Sequence, residues 1–203
     1  MKIALDTETG GLVPSENPIL ALAMYNPEHA FSTRIKCPTN LTCHPRALEV
    51  NRLDPTQGDM AYDAQIALGR WWESLGSPRF ELIGHNVGPF DIGFVKQISG
   101  PKHSLMFDYH YRDTATLALA LQDAGLVHFG KLNLSNVAER LKIRYDAHGA
   151  MQDAMCAWHV WERQIQIVRA SKEFADTMDE AAVDDLINEW EVIDVRASGK
   201  NAS

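Results

Sequence analysis

The sequence has few cysteines, no long apolar run and no excess of basic charge. Its three cysteines, Cys37, Cys43 and Cys156, include no C-x-x-C pair, so neither a disulfide framework nor a zinc site is indicated. No apolar run reaches the ~18 residues that span a bilayer, and the N-terminus lacks the basic-then-apolar layout of a signal peptide. We therefore expect a cytoplasmic protein with no membrane partner.

The net charge of −8 is unevenly distributed along the 203 residues. Nine of the 27 acidic residues lie in the stretch 173–195, which has no Lys or Arg, so 18 acids face 19 basic residues elsewhere. A nearly neutral body does not exclude a phosphate-bearing partner, because bound divalent cations would make it more positive. We expect a domain over 1–172 and an acidic C-terminal helix and tail over 173–203. The tail either packs on the domain or docks a polymerase or another protein.

Strand patterns dominate the first part of the chain, and helix patterns alternate with strands afterwards. Apolar runs predict strands over 2–9, 19–26, 30–37, 80–86 and within 104–113. Helical periodicity and capping residues predict helices near 45–52 and over 62–75, 88–98, 114–123, 134–141, 149–170 and 179–190. This order predicts an α/β fold with a mixed sheet flanked by helices.

Two acids stand two residues apart in the first predicted strand, within "ALDTETGG" at residues 4–11. A strand alternates its faces, so Asp6 and Glu8 point to the same side. Their mutual repulsion is unfavourable unless something positive lies between them. The spacing therefore predicts a cation at the end of this strand.

Two later stretches carry acids and histidines in similar settings. In "LIGHNVGPFDIGF" (82–94), Asp91 follows an apolar strand, and in "YDAHGAMQDAMCAW" (145–158), His148 precedes Asp153 by five residues. Carboxylates from separate parts of the chain suit Mg²⁺, and two such ions assist in-line phosphoryl displacement. A histidine, with an ordinary pKa near ~6.5, suits the removal of a proton from an attacking water.

Together these motifs resemble the DEDDh family of 3′–5′ exonucleases in the RNase H-like superfamily. That family includes proofreading subunits of bacterial replicative polymerases, ribonuclease T and oligoribonuclease. The resemblance covers roughly residues 3–161 and rests on "LDTETGGL", "IGHNVGPFDIGF" and "AHGAMQDA". The spacing of five residues between His148 and Asp153 is typical of family members whose active site contains a histidine. The resemblance implies an RNase H-like fold with a central mixed sheet of about five strands flanked by helices.

The resemblance also implies a reaction. Two Mg²⁺ or Mn²⁺ ions would bind four acids, and His148 would deprotonate the attacking water. Phosphodiester bonds would be cut from the 3′ ends of single-stranded or frayed DNA, releasing nucleoside 5′-monophosphates. The implied metal ligands are Asp6, Glu8, Asp91 and Asp153.

Seven further residues are implied to surround the substrate. The segment after the first motif would hold the terminal nucleotide, and Phe90 would stack on a base. Asn51 stands where relatives often carry a histidine that contacts the terminal residue, and two residues after a strand would supply nearby hydrogen bonds. The expected substrate-binding set is Thr9, Gly11, Leu12, Asn51, His85, Asn86 and Phe90.

Two alternative functions stay open. The first is an exoribonuclease that trims RNA 3′ ends, like oligoribonuclease or ribonuclease T, because no residue reveals whether the site accepts a 2′-hydroxyl. The second is a non-catalytic nucleic-acid-binding module on the same fold. The complete set of four acids and a histidine counts against the second alternative.

Overall fold

A five-stranded mixed sheet forms the centre of the protein, as expected. The computed structural model describes residues 1–173 and 180–196. The strands of the sheet are β1 (Lys2–Thr9), β2 (Ile19–Tyr25), β3 (Ala30–Arg34), β4 (Phe80–Gly84) and β5 (Phe107–Asp113). They lie in the order β3-β2-β1-β4-β5. The first three pair antiparallel, whereas β4 is parallel to β1 and β5 is parallel to β4.

Helices pack on the sheet, and further helices follow its last strand in the chain. The helices are α1 (Pro45–Asn51), α2 (Ala61–Ser74), α3 (Asp91–Ser99), α4 (His103–Met106), α5 (Thr114–Asp123), α6 (Leu134–Arg140), α7 (Ala150–Glu173) and α8 (Glu180–Glu189). The short strands β6 (Ile143–Arg144) and β7 (Ile193–Asp194) form a separate parallel pair. Within the described ranges, no helix has both the length and the apolar character that crossing a membrane requires.

The alternation of side chains along β1 separates two cores. Ile3 and Leu5 join the apolar cluster that includes residues of α2 and α3. Ala4, on the opposite face, joins a cluster with Ala150 and Ala154 of α7. Because the distance between packed elements depends on the side chains between them, these alanines let the first turns of α7 lie close to β1.

The C-terminal segment packs against the same body. Val183 and Ile187 of α8, together with Val195, are buried in a cluster with residues of α5, α6 and α7. Asp184 of α8 forms an ion pair with Arg140 of α6. The expected boundary between 172 and 173 is next to residues 174–179, which lie outside the described ranges. Residue 179, where the last helix is predicted to begin, is one of these residues.

Several predicted bounds are wrong at their ends. The helix predicted over 88–98 begins at Asp91, because residues 87–90 form turns instead, following Asn86, whose φ of 61° is left-handed. The strands predicted over 30–37 and 80–86 end earlier, at Arg34 and Gly84. The sequence did not indicate α4 or the pair of β6 and β7, since elements of two to four residues have no measurable periodicity.

Candidate active site

Three carboxylates converge near the carboxyl end of β1. Asp6 and Glu8 lie on the face of β1 that carries Ala4 and faces α7. Asp153 lies in the first turn of α7, which the small side chains bring close to the strand. One carboxylate oxygen from each of these acids lies within 4.8 Å of the other two. Such a set of oxygens is suited to a hard divalent cation.

Asp91 reaches the same strand from the other side of the sheet. It is the first residue of α3 and is only 4% exposed. The backbone N–H and the hydroxyl of Thr7 donate to its Oδ1, at 2.9 Å and 2.6 Å. Thr7 stands between Asp6 and Glu8 in β1, so these hydrogen bonds attach Asp91 to the strand that carries both acids. Asp91 lies outside the group of three, yet its charge raises the pKa of Asp6 and of Glu8.

Burial raises the pKa values of all four acids, and repulsion by the other acids of the site adds to the increase for Asp6 and Glu8. Burial is the largest cause for each, and it raises the pKa of Glu8 to about 8, with further repulsion from Asp153 and Asp91. The pKa of Asp6 is raised well above its ordinary value by burial, then by its three neighbours. Burial raises the pKa of Asp91 to about 7 and that of Asp153 to about 6, although hydrogen bonds oppose both increases. Cations between the carboxylates would remove this repulsion.

His148 lies at the exposed edge of the acidic cluster. Its backbone has a φ of 69°, and its N–H donates to Asp153 Oδ2 at 3.1 Å. The N–H of Asp153 in turn donates to the carbonyl of Gly149 at 3.0 Å. The imidazole is near enough for its positive charge, when protonated, to lower the pKa of Asp153. The loop therefore places an exposed proton acceptor beside the acids.

A cleft of about 600 Å³ adjoins the acidic cluster. Glu8 forms part of its wall, and α1 forms another part. Leu12 is 80% exposed, so its side chain offers an apolar surface at this cleft. Five of the expected substrate-binding residues line the cleft, namely Thr9, Gly11, Leu12, Asn51 and Phe90.

Hydrogen bonds within the protein hold two of these residues. The Asn51 amide donates from Nδ2 to the Thr9 carbonyl at 3.0 Å and accepts from the Leu53 N–H at 3.1 Å. The Thr9 hydroxyl donates to the Gly11 carbonyl at 2.6 Å. Both side chains are buried, so they fix the shape of the loop after β1. Phe90 remains half-buried, with its ring 5.0 Å from that of Phe94.

The two remaining predicted residues do not line this cleft. The Nε2–H of His85 donates to the Leu132 carbonyl at 2.8 Å, and Nδ1 lies 2.9 Å from the Thr114 hydroxyl. Burial lowers the pKa of His85, which favours the neutral ring, and the two contacts link the end of β4 to α5 and to the loop before α6. Asn86 is exposed, in the left-handed conformation described above.

The sequence reasoning missed two residues of this site. Strand alternation places Thr7 on the face of β1 opposite to that of the two acids. That it contacts Asp91 follows only from the fold, so the sequence did not indicate its role. Tyr145 is half-buried, with its hydroxyl 2.9 Å from that of Ser135 and near enough to Asp153 to lower the pKa of that acid. Its position three residues before His148 was the available signal.

The sheet order and the flanking helices form an α/β fold of the RNase H-like type, and the acidic cluster is a candidate metal site on it. No protein-family model and no curated protein matches the chain.

Solved structures of exonuclease I share this fold. E. coli exonuclease I in complex with a dT13 oligonucleotide has a TM-score of 0.63 and 16% identity, with 86% of this chain and 42% of that chain covered. A product-bound exonuclease I has a TM-score of 0.65 and 15% identity, covering 83% and 45% of the respective chains. The enzyme from Methylocaldum szegediense has a TM-score of 0.63 and 16% identity, covering 81% and 40%. The chain thus spans less than half the length of these proteins.

Proposed function

We propose that this chain is a metal-dependent 3′–5′ exonuclease of the DEDDh type that degrades single-stranded or frayed DNA. The observation that carries the proposal is the convergence of Asp6, Glu8 and Asp153 within 4.8 Å. The fold shared with exonuclease I supports it. Two of the exonuclease I structures are described as complexes with dT13 and dA16 oligonucleotides, which favours single-stranded nucleic acid as the substrate class.

The donor set fits two Mg²⁺ or Mn²⁺ ions. Carboxylate oxygens are the ligands that these cations prefer. In the part of the chain that the structure describes, no basic side chain forms an ion pair with any of the four acids. When bound, the ions stabilise the charge that develops on the attacking and leaving oxygens. The proposed ligands are Asp6, Glu8, Asp91 and Asp153.

His148 is the proposed general base. Its backbone is attached to Asp153, and its exposed imidazole takes a proton from a water molecule at the edge of the cluster. The water oxygen forms a bond to phosphorus, and the bond from phosphorus to the 3′ oxygen of the preceding nucleotide breaks. That oxygen takes a proton from solvent. The products are a nucleoside 5′-monophosphate and a strand one nucleotide shorter.

The cleft beside Glu8 is the proposed site of the terminal nucleotide. Its loop after β1 is held by Thr9 and Asn51, and glycine at position 11 lets the backbone approach a sugar closely. Leu12 and Phe90 offer apolar faces to the terminal base.

A degradation assay on end-labelled oligonucleotides tests the proposal. Matched DNA and RNA strands, offered as single strands, blunt duplexes and duplexes with a mismatched 3′ end, are incubated with Mg²⁺ or Mn²⁺. We expect mononucleotides from the 3′ end of single-stranded and mismatched DNA, and none when a chelator replaces the metal. Faster release from RNA would favour the exoribonuclease. No release from any 3′ end, with either metal, would contradict the proposal and favour the non-catalytic module.

A further inference from the structure

A second groove, of about 340 Å³, lies between α3 and the edge strand β5. The turns over residues 87–90 connect it with the candidate active site, because Gly88 lines the groove whereas Phe90 lines the cleft. A strand whose 3′ end occupies the cleft must leave the acidic cluster across some neighbouring surface. Gly88, which lines the groove, precedes Asp91 by three residues in the chain, so the groove is one such surface.

The wall formed by β5 contains a bulge. Phe80 and Leu82 are two residues apart in β4, but their partners Phe107 and Tyr111 are four apart in β5. The two additional residues are held by Asp108, whose Oδ1 accepts from the backbone N–H of His110 at 2.9 Å. A bulge redirects side chains and is common near active sites.

The bulge displays two tyrosines along the groove. Tyr109 is 76% exposed and Tyr111 is 45% exposed. The Tyr111 ring lies directly over Gly88, where a Cβ would collide with it. Both rings line the groove, so it offers two exposed aromatic surfaces next to the turns that lead to Asp91.

The charges around the groove favour an anionic partner. The charged residues that line it are Arg79, Lys96 and Asp108. Asp108 is already paired with Arg79, whose Nε lies 3.2 Å from its Oδ2. Lys96 is exposed on α3 and carries the remaining positive charge. The charged side chains that line the groove therefore sum to one positive charge.

We propose that this groove binds the part of a single-stranded oligonucleotide that lies upstream of the cleaved end. Bases stack on Tyr109 and Tyr111, and the Lys96 ammonium contacts the phosphates. The inference rests on the proposed function, since it assigns the path of that substrate. A protein strand adding to the edge of β5 is less suited to this surface, because the bulge interrupts the row of N–H and C=O groups that such a strand would need.

Binding of labelled oligodeoxythymidine tests the inference, with fluorescence anisotropy measured in Ca²⁺ to slow turnover. We expect the wild-type chain to bind a twelve-nucleotide strand more tightly than a three-nucleotide strand. The Tyr109→Ala and Tyr111→Ala variants should each weaken binding of the longer strand by about fivefold or more, and Tyr109→Phe should retain the wild-type affinity. The matched control is Tyr62→Ala, which removes a tyrosine that is 70% exposed on α2; it should leave the affinity unchanged.

The outcomes separate this inference from the proposed function. If the wild-type chain releases mononucleotides but the two alanine variants bind the longer strand as well as wild type does, the groove assignment is wrong and the exonuclease proposal stands. If no release occurs yet the alanine variants lose affinity, the groove binds single strands and the exonuclease proposal fails. Circular dichroism of each variant verifies that the fold is retained, which the high exposure of Tyr109 leads us to expect.

Discussion

Asp6, Glu8 and Asp153 are held close together by the backbone although their charges repel one another. Asp6 and Glu8 are neighbours on one strand, and the alanines between β1 and α7 bring in Asp153. The rest of the fold therefore maintains a local arrangement that is unfavourable without a cation. Unfavourable local interactions of this kind are common at functional sites, where the rest of the fold compensates for them.

At the residue scale, the Asp6→Asn variant tests this repulsion. Removal of one charge relieves the cluster in the metal-free protein, so we expect its melting temperature to rise by a few degrees, which corresponds to about 1 kcal/mol for a chain of this length. On the proposed assignment, exonuclease activity should fall at least about a hundredfold, because a neutral amide replaces a carboxylate that would bind the metal. Differential scanning calorimetry with a chelator, and the degradation assay, measure the two effects.

The control is Asp123→Asn, which removes an exposed acid at the end of α5. It should change neither quantity appreciably. A lower melting temperature for the metal-free Asp6→Asn variant would contradict the proposed clustering of charge.

At the scale of elements, α8 and β7 act as part of the body. Val183, Ile187 and Val195 are buried, and Arg163 donates to the Glu191 carbonyl at 2.8 Å while its guanidinium lies 4.3 Å from the Trp190 ring centre. Packing of this kind favours the expectation that the acidic tail packs on the domain. We propose that 1–172 carries the nuclease chemistry and that 180–196 completes its core. A role of the tail in docking a polymerase stays a prediction.

The Ile187→Ala variant tests whether α8 shares the core. Loss of a fully buried isoleucine from a common core should lower the free energy of unfolding of the whole protein by about 2–5 kcal/mol. Asp185→Ala, an exposed substitution two residues earlier, should change it by no more than about 0.5 kcal/mol. Urea unfolding followed by circular dichroism gives both values. An unchanged transition for Ile187→Ala, or a fully stable chain cut after Lys172, would indicate that the tail is a separate unit.

At the scale of the whole molecule, the raised pKa values make stability depend on pH. Glu8 and Asp91 have pKa values of about 8 and about 7 in the folded chain, above their ordinary values of 4.5 and 3.8. An unfolded chain has already lost these protons in that range, so the folded state binds more protons. Stability therefore falls as pH rises through these values, with a slope of up to about 1.4 kcal/mol per pH unit for each group.

We expect the metal-free protein to melt at a lower temperature at about pH 8.5 than at about pH 6.5. The lowered pKa values of His85 and His103 act in the opposite direction, but only below the ordinary value of 6.5. Saturating Mg²⁺ should abolish the decrease, because it binds the ionised carboxylates of the folded state. Thermal melts at both pH values, with metal and with chelator, provide the measurement. A metal-free chain that is equally stable at both would show that the acids do not interact as described.

The sequence by itself determined the order of the longer strands and helices, the mixed sheet, and the common face of Asp6 and Glu8. These follow from short-range physics: strand alternation places Asp6 and Glu8 on one face, and helix caps such as Asp113 mark where α5 begins. Local patterns therefore predict the structure correctly where the conformation depends on residues that are neighbours along the chain.

Only the tertiary structure decided which side chains meet. The hydrogen bonds from Thr7 to Asp91 join residues 84 apart in the chain, and His85 turns to Leu132 rather than to the cleft. The burial of α8 and the bulge that displays Tyr109 likewise depend on contacts between distant segments. No periodicity records such contacts, because they arise from the packing of whole elements against one another.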